Sequence, residues 1–208
     1  MLTKEQQSQL TPNQVIEILK KGNAEFVNDE LTVRNKPHLV RSAAIGQFPM
    51  AVFLSCLDSR VPVEDVFHRA IGEIFVARVA GNIVNTDILG SMEFACKASG
   101  AKLVMVLGHS ACGAIQSAIS NVELGNITEL LNKIKPAVNE TKKDFVGETD
   151  ASNTEFVEAV CQTNIILTIN EIRQKSPILK EMEDNGEIKI IGGYYDLHTG
   201  KVEFFEKL

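Results

Sequence analysis

The sequence lacks the features that mark membrane proteins and nucleic-acid-binding proteins. No stretch approaches the roughly 20 apolar residues that a membrane-spanning helix needs, and no run is rich in Lys and Arg. The 21 Lys and Arg residues are outnumbered by 27 Asp and Glu residues, which gives a formal net charge of −6. Because a nucleic-acid-binding protein normally carries a basic surface, we expect a small-molecule substrate and neither a nucleic-acid nor a membrane partner.

Cysteine is scarce, and the amino terminus lacks the apolar core of a secretory signal. We therefore expect a cytoplasmic, reducing environment, in which cysteines do not form a disulfide framework. The chain has four cysteines, Cys56, Cys96, Cys112 and Cys161. Each of them is a core residue, a metal ligand or a nucleophile.

The apolar residues predict a single α/β domain. A chain of 208 residues, 44% of them hydrophobic, can bury one sizeable core. Near-continuous apolar runs are typical of parallel strands that are buried on both faces, and helical patterns lie between them. The predicted strands cover residues 50–56, 74–79, 102–108, 188–195 and 202–205, and the main helices start at Thr11 and cover residues 87–99 and 155–174. We expect a central, mostly parallel β-sheet flanked by helices, with an amino-terminal helical arm (1–45) and an α/β core (46–208).

Two predicted strand ends carry unusual polar residues. The first strand runs into Cys56-Leu-Asp58-Ser-Arg60, and the third runs into His109-Ser-Ala-Cys112. The carboxyl ends of parallel strands are where sites form in such sheets. If the two strands are neighbours, Cys56, His109 and Cys112 form a set of two thiolates and one imidazole, which suits zinc. Three protein ligands leave a fourth position for water or substrate, as in catalytic zinc sites.

Other interpretations of these residues remain open at this point. Either cysteine of the set could be an ordinary core residue, and Cys56 beside Arg60 could be a nucleophile that needs no metal. The spacing from Gly108 to Gly113 fits a phosphate-binding loop, but the required Lys and Ser/Thr are absent, and no dinucleotide-binding glycine motif follows a strand. We interpret five further residues as core or surface residues without a functional role: Cys96, Cys161, His38, His68 and His198.

Taken together, the two motifs closely resemble those of the β-class carbonic anhydrases. The resemblance rests on Cys56-x-Asp58-Ser59-Arg60 and His109-x-x-Cys112-Gly113 and spans about residues 14–206. Further matches are Gly22-Asn23 with Phe26, Phe75-Val76 with Arg78, Ala80-Gly81-Asn82, and the segment Gly192 to Asp196, which is similar to plant-like members. Two positions depart from the family: Glu25 replaces a common arginine, and His68 replaces a common aspartate.

The resemblance implies a zinc lyase that reversibly hydrates carbon dioxide to bicarbonate and a proton. One zinc ion per chain, on Cys56, His109 and Cys112, would lower the pKa of its bound water, and the resulting hydroxide would attack CO2. Asp58 would accept a hydrogen bond from that hydroxide, and Arg60 would hold Asp58 off the metal. The same resemblance implies substrate-binding roles for three other residues, Gln47, Phe75 and Gly113.

The resemblance also implies an open-site subgroup and self-association as a homodimer or homotetramer. In the family's bicarbonate-regulated form the aspartate closes the site as a fourth zinc ligand, and a tryptophan precedes the first zinc cysteine by three residues. This chain has no tryptophan and carries Phe53 there, while Gln47 matches the open subgroup. Asp58 is thus expected on zinc only in a closed state. Alternative functions are carbon disulfide hydrolysis, or a catalytically silent regulatory module that binds zinc and bicarbonate.

Overall fold

A five-stranded sheet forms the centre of the protein, as seen in a computed structural model that describes residues 2–32 and 36–206. The strand order is β2-β1-β3-β4-β5. The first four strands are parallel, and β5 pairs antiparallel with β4. The strands are Ala51–Ser55 (β1), Ile74–Arg78 (β2), Leu103–His109 (β3), Lys189–Tyr195 (β4) and Val202–Phe205 (β5). This confirms the predicted fold class.

Helices flank both faces of the sheet. They are Lys4–Gln9 (α1), Pro12–Val27 (α2), Lys36–Ala43 (α3), Val63–Val66 (α4), Thr86–Glu93 (α5), Gly113–Ile119 (α6), Gly125–Asn132 (α7), Lys135–Asp144 (α8), Thr154–Lys175 (α9) and Pro177–Asp184 (α10). Within residues 2–32 and 36–206, no helix combines the length and the apolar character needed to cross a membrane.

The sheet separates two apolar layers, because successive side chains of a strand point to opposite faces. Val52 and Leu54 of β1 pack into the larger layer, which α5, α6 and α9 cover. Phe53 points the other way, into a layer covered by α2 and α4. All five residues of β1 and all seven of β3 are buried. These two central strands carry the site residues at their carboxyl ends.

The amino-terminal helix α2 packs onto the sheet of its own chain. It begins as predicted at Thr11, whose hydroxyl caps the helix in a reciprocal arrangement with Gln14. The Gly-Asn pair of this helix is structural: a Cβ on Gly22 would lie 2.0 Å from the carbonyl oxygen of Phe67. Asn23 is buried and accepts a hydrogen bond from the backbone N–H of Val202 at 2.9 Å. The division between an arm (1–45) and a core (46–208) stays a prediction, and residues 1, 33–35, 207 and 208 lie outside the described residues.

The charged and polar segment from Lys142 to Asn153 predicts a loop from its sequence, but this prediction is wrong for its first residues, which are helical. Helix α8 extends to Asp144, since Ala137 and Val138 on its buried side pack into the larger apolar layer. Lys142 and Lys143 lie in its last turn, where positive charge favours the helix dipole. The helix predicted at residues 87–99 is present, but it ends in a π-helical turn at Phe94–Ala98. The sequence did not predict α1, α3, α4, α7 or α10.

Candidate metal centre

The centre lies where β1 and β3, which are hydrogen-bonded neighbours, reach their carboxyl ends. Cys56 follows β1, His109 is the last residue of β3, and Cys112 is the N-cap of α6. Only 4%, 0% and 1% of these three residues is exposed. The adjacency of the two strands, which the sequence left conditional, therefore brings the three predicted ligands together.

The arrangement of the three ligand atoms fits a zinc ion. They lie within 4.8 Å of one another, and the two sulfur atoms are 3.8 Å apart. Tetrahedral zinc with Zn–S bonds of about 2.3 Å would place two thiolates about 3.8 Å apart. His109 Nδ1 is 2.9 Å from the carbonyl oxygen of Ser110 and donates to it, which leaves the lone pair on Nε2. That buried Nε2 has no hydrogen-bond partner among the described residues, as expected of an atom aimed at a metal.

The two thiols have unequal acidity. The Cys112 thiol beside it lowers the pKa of Cys56 well below its usual value, and His109 and the backbone N–H groups of Asp58 and Gly81 act in the same direction. The Cys56 thiolate in turn raises the pKa of Cys112, and so does burial. A cation between the two sulfurs would replace the shared proton and favour two thiolates.

Asp58 and Arg60 form a bidentate pair beside this cluster. Arg60 Nε and Nη2 donate to the two carboxylate oxygens of Asp58 at 2.9 and 2.7 Å, and the backbone N–H of Arg60 donates at 2.9 Å. These bonds lower the pKa of Asp58 to about 2, so the carboxylate is charged at neutral pH. Its Oδ2 lies 3.9 Å from His109 Nε2, next to the position that a metal would occupy. Arg60 also donates to the carbonyl oxygen of Ala111 at 3.2 Å.

Three residues support the loop that carries Cys56. Arg78 donates from Nε to the carbonyl oxygen of Cys56 at 3.1 Å and from Nη2 to that of Asp58. The backbone N–H of Gly81 donates to Cys56 Sγ at 3.4 Å, and Asn164 Nδ2 donates to the carbonyl oxygen of Gly81 at 2.9 Å. Sequence reasoning assigned no role to Asn164. The only signal in the sequence that could have indicated such a role is that Asn164 is a polar residue on the otherwise mostly apolar face of α9.

The remaining cysteines and histidines lie outside the cluster. Cys96 and Cys161 are buried core residues, as predicted, and burial raises the pKa of each to about 12. His68 is a half-buried residue whose Nδ1 lies 2.5 Å from Glu25 Oε2. The two departures from the family pattern therefore contact each other, and this pairing was not predicted. His38 and His198 are exposed.

The three predicted substrate-binding residues are not gathered at one point in a single chain. Gly113 opens α6 directly after Cys112 and is exposed. Gln47 precedes β1, whereas Cys56 follows it, so the length of the strand, about 16 Å, separates them. Phe75 is level with Val52, about 13 Å before Cys56 along the sheet. The substrate-binding roles of these residues stay predictions.

The fold and the cluster define an α/β protein in which Cys56, His109 and Cys112 form a group that could hold a zinc ion. The carbonic anhydrase family profile matches residues 51–202. A carbonic anhydrase 2 of Mycobacterium tuberculosis is 30% identical over 190 residues, which cover 88% of this chain and 87% of that protein. A carbonic anhydrase of Pseudomonas aeruginosa is 29% identical over 188 residues, covering 88% and 84%. The structure is also similar to a tetrameric β-carbonic anhydrase of Sordaria macrospora, with a TM-score of 0.72, 25% identity, and coverage of 92% of this chain and 96% of that one.

The chain therefore belongs to the β-carbonic anhydrase family. Its cofactor is zinc, and Cys56, His109 and Cys112 are placed to bind it.

Proposed function

We propose that this protein catalyses the reversible hydration of carbon dioxide to bicarbonate and a proton. The observation that carries the proposal is the buried cluster of Cys56, His109 and Cys112 with an ion-paired Asp58 oxygen 3.9 Å from His109 Nε2. A closed structural zinc site would instead have four protein ligands. The similarity to carbonic anhydrases over nearly 90% of the chain supports the same activity.

Each residue of the site has a distinct role in this reaction. When bound, zinc acts as a Lewis acid that makes water a nucleophile near neutral pH. Asp58, charged and acceptor-only, accepts a hydrogen bond from the nucleophile and so aims its lone pair at the carbon of CO2. Arg60 holds both oxygens of Asp58 and keeps that carboxylate from taking the open position. The hydrogen bond to Ser110 fixes the ring of His109.

Stopped-flow CO2 hydration by the purified protein, with its zinc content measured in parallel, tests the proposal. We expect hydration well above the buffer rate, about one zinc per chain, and loss of activity when a chelator removes the metal. Zinc-loaded protein that hydrates no CO2 would contradict the proposal. Carbon disulfide consumption by such a preparation would favour the hydrolase alternative, and no turnover of either substrate would favour a regulatory module.

We propose further that the protein belongs to the open-site subgroup. The bidentate pair with Arg60 competes with any bond from Asp58 to the metal. Phe53 is fully buried and offers no N–H to an anion, and Arg78 already donates to two backbone carbonyls. We therefore expect no cooperative inhibition by bicarbonate near neutral pH. A crystal structure at pH 7–8 with an Asp58 oxygen about 2.0–2.2 Å from zinc, and Arg60 released, would contradict the open assignment.

We also propose that the active form is a homodimer or a homotetramer. Since Gln47 and Phe75 lie far from the cluster of their own chain, a pocket that uses them has to draw them from a second copy. β2 is an edge strand, and half-buried apolar side chains line the cleft between it and α5. An unpaired edge of this kind favours association with another chain. The structurally similar protein of Sordaria macrospora is a tetramer.

A further inference from the structure

Asn164 is a polar side chain within an apolar helix face. It lies on α9 and is 3% exposed, and its neighbours along the buried face include Val160, Cys161 and Ile165. A buried amide is costly unless it is hydrogen-bonded. Asn164 Nδ2 donates to the carbonyl oxygen of Gly81 at 2.9 Å, across 83 residues of sequence. The amide therefore fixes a distant turn onto α9.

That turn, Ala80–Asn82, has a conformation that needs to be held in place. Gly81 has a φ of 70°, in the left-handed region. A Cβ at this position would also lie 2.5 Å from Ile134 Cδ1. The turn is a short 3-10 segment between β2 and α5, so neither the sheet ladder nor a long helix sets its position. The Asn164 hydrogen bond anchors the carbonyl group of Gly81, the same residue whose backbone N–H faces Cys56.

The N–H of Gly81 donates to Cys56 Sγ at 3.4 Å. A hydrogen bond to a thiolate withdraws electron density from the sulfur and orients it, and groups of this kind tune the properties of a bound metal. Asn164, Gly81 and the sulfur of Cys56 thus form a continuous path from the helix layer to the metal ligand. The path reaches Cys56 through the turn that follows β2, whereas Arg60 contacts Asp58 and the backbone of Ala111.

We propose that Asn164 is a positioning residue for the metal centre: it holds the Gly81 N–H on Cys56 Sγ and thereby sets the electron density that this thiolate gives to zinc. The inference rests on the proposed function for its catalytic consequence, since a more electron-rich thiolate weakens the Lewis acid. The proposed hydrogen-bond path from Asn164 through Gly81 to Cys56 does not depend on which reaction the protein catalyses.

Cobalt substitution of the Asn164→Leu protein tests the proposal. Leucine has a similar size but no donor, so the turn loses its anchor. We expect about one cobalt per chain, a thiolate-to-cobalt charge-transfer band shifted to lower energy, and zinc affinity reduced by roughly tenfold. The midpoint of the pH–rate profile for CO2 hydration should also move to higher pH. The matched control is Thr168→Val, one helical turn further along the same buried face, which should leave the band and the midpoint unchanged.

An unchanged band in the Asn164→Leu protein, or an equal shift in the Thr168→Val protein, would overturn the proposal. Cadmium-113 substitution of the unmutated protein gives a second test that does not depend on how a variant folds. A hydrogen bond through sulfur predicts a scalar coupling between the cadmium nucleus and the Gly81 amide proton, and absence of that coupling would equally refute the proposal. Neither spectroscopic readout uses CO2. A protein with both signatures but no hydration would contradict the proposed function while leaving the role of Asn164 intact.

Discussion

The carboxylate of Asp58 has two possible cationic partners: the guanidinium group of Arg60 and a metal ion bound by the cysteine–histidine cluster. In the structure it pairs with Arg60 through both carboxylate oxygens, and these hydrogen bonds lower the pKa of Asp58 to about 2. Its Oδ2 is nevertheless only 3.9 Å from His109 Nε2. The residue is therefore close enough to act on a nucleophile at the metal, and the role that we propose for Arg60 is to restrain Asp58 from becoming a ligand.

This restraint predicts the behaviour of two variants. Asp58→Asn and Arg60→Ala should keep about one zinc per chain, because neither residue belongs to the ligand cluster. Both should lose hydration activity by about 10–100-fold or more, since the groups that orient a metal-bound reactant are lost. Zinc analysis and stopped-flow hydration measure the two effects separately. The control is Asp184→Asn, which alters an exposed ion pair with Lys180 and should leave zinc content and activity unchanged. Wild-type activity in the Asp58→Asn protein would show that the Asp58–Arg60 pair is not catalytic.

At the scale of secondary-structure elements, the docking of α2 depends on the absence of a side chain at Gly22. The helix approaches the backbone of residue 67 so closely that a Cβ would lie 2.0 Å from the carbonyl oxygen of Phe67. We expect Gly22→Ala to lower the free energy of unfolding by about 1–3 kcal/mol, although alanine favours an isolated helix. Urea unfolding gives the value. The control is Lys21→Ala, which changes an exposed neighbour and should alter the free energy of unfolding by no more than about 0.5 kcal/mol. Equal destabilisation by Gly22→Ala and Lys21→Ala would contradict the close docking of α2.

The turn between β4 and β5 makes a pH-dependent contribution to stability. Asp196 accepts hydrogen bonds from the Thr199 hydroxyl at 2.6 Å and the His198 N–H at 2.9 Å, and these bonds lower its pKa. A carboxyl whose pKa is lowered by folding stabilises the protein above its unfolded pKa of about 3.9. That contribution disappears as the pH falls through the folded pKa.

We therefore expect Asp196→Ala to be less stable than the wild type at pH 6, and the difference to shrink towards pH 3.5. Urea unfolding of the zinc-free proteins across this range measures it, so that metal release does not interfere. Asp150→Ala provides a comparison, since Asp150 caps a loop through Ser152 in the same way. A difference for Asp196→Ala that stays constant with pH would show that its carboxylate does not stabilise the turn.

The sequence predicts the elements whose signals are local. The capping pair Thr11 and Gln14, the fully buried strands β1 and β3, and the long helix α9 are all found close to their predicted bounds. Short helices such as α7 and α10 were not predicted, because their helical form depends on packing against the rest of the chain. The π-helical turn after α5 is closed by backbone hydrogen bonds from Ser99 to Phe94 and from Ala101 to Ala95, and it was not predicted.

The residues of the site likewise divide into those with a local sequence signal and those whose role depends on distant contacts. The metal motifs could be predicted because cysteine and histidine at strand ends are rare and chemically distinctive. Asn164 could not, since its role follows from a contact with Gly81 at a separation of 83 residues. The separation of Gln47 and Phe75 from the cluster was also unpredictable from motifs, because a motif states residue types and not the end of the strand on which each lies.

At the scale of the whole molecule, we expect association through the edge strand β2 to be required for full hydration activity. Phe94 is 58% exposed and lies beside Phe75, with ring centroids 6.4 Å apart. We expect Phe94→Glu to shift the protein towards monomers in light scattering, because a buried carboxylate would oppose association. Hydration should fall with association, whereas zinc content should not.

The matched variant Val146→Glu changes a residue that is 95% exposed on a distant loop, and it should leave both assembly and activity unchanged. A Phe94→Glu protein that stays fully associated would contradict the proposed interface. A monomeric variant with full activity would show that no second copy contributes to the pocket.

The most direct test of the central claim is the zinc content of Cys112→Ala beside that of Cys96→Ala. Both substitutions remove a buried thiol, but only Cys112 belongs to the cluster with Cys56 and His109. We predict about one zinc per chain in the wild type and in Cys96→Ala, with hydration activity retained, and loss of most zinc and activity in Cys112→Ala. Full zinc occupancy in the Cys112→Ala protein would contradict the assignment of the metal centre.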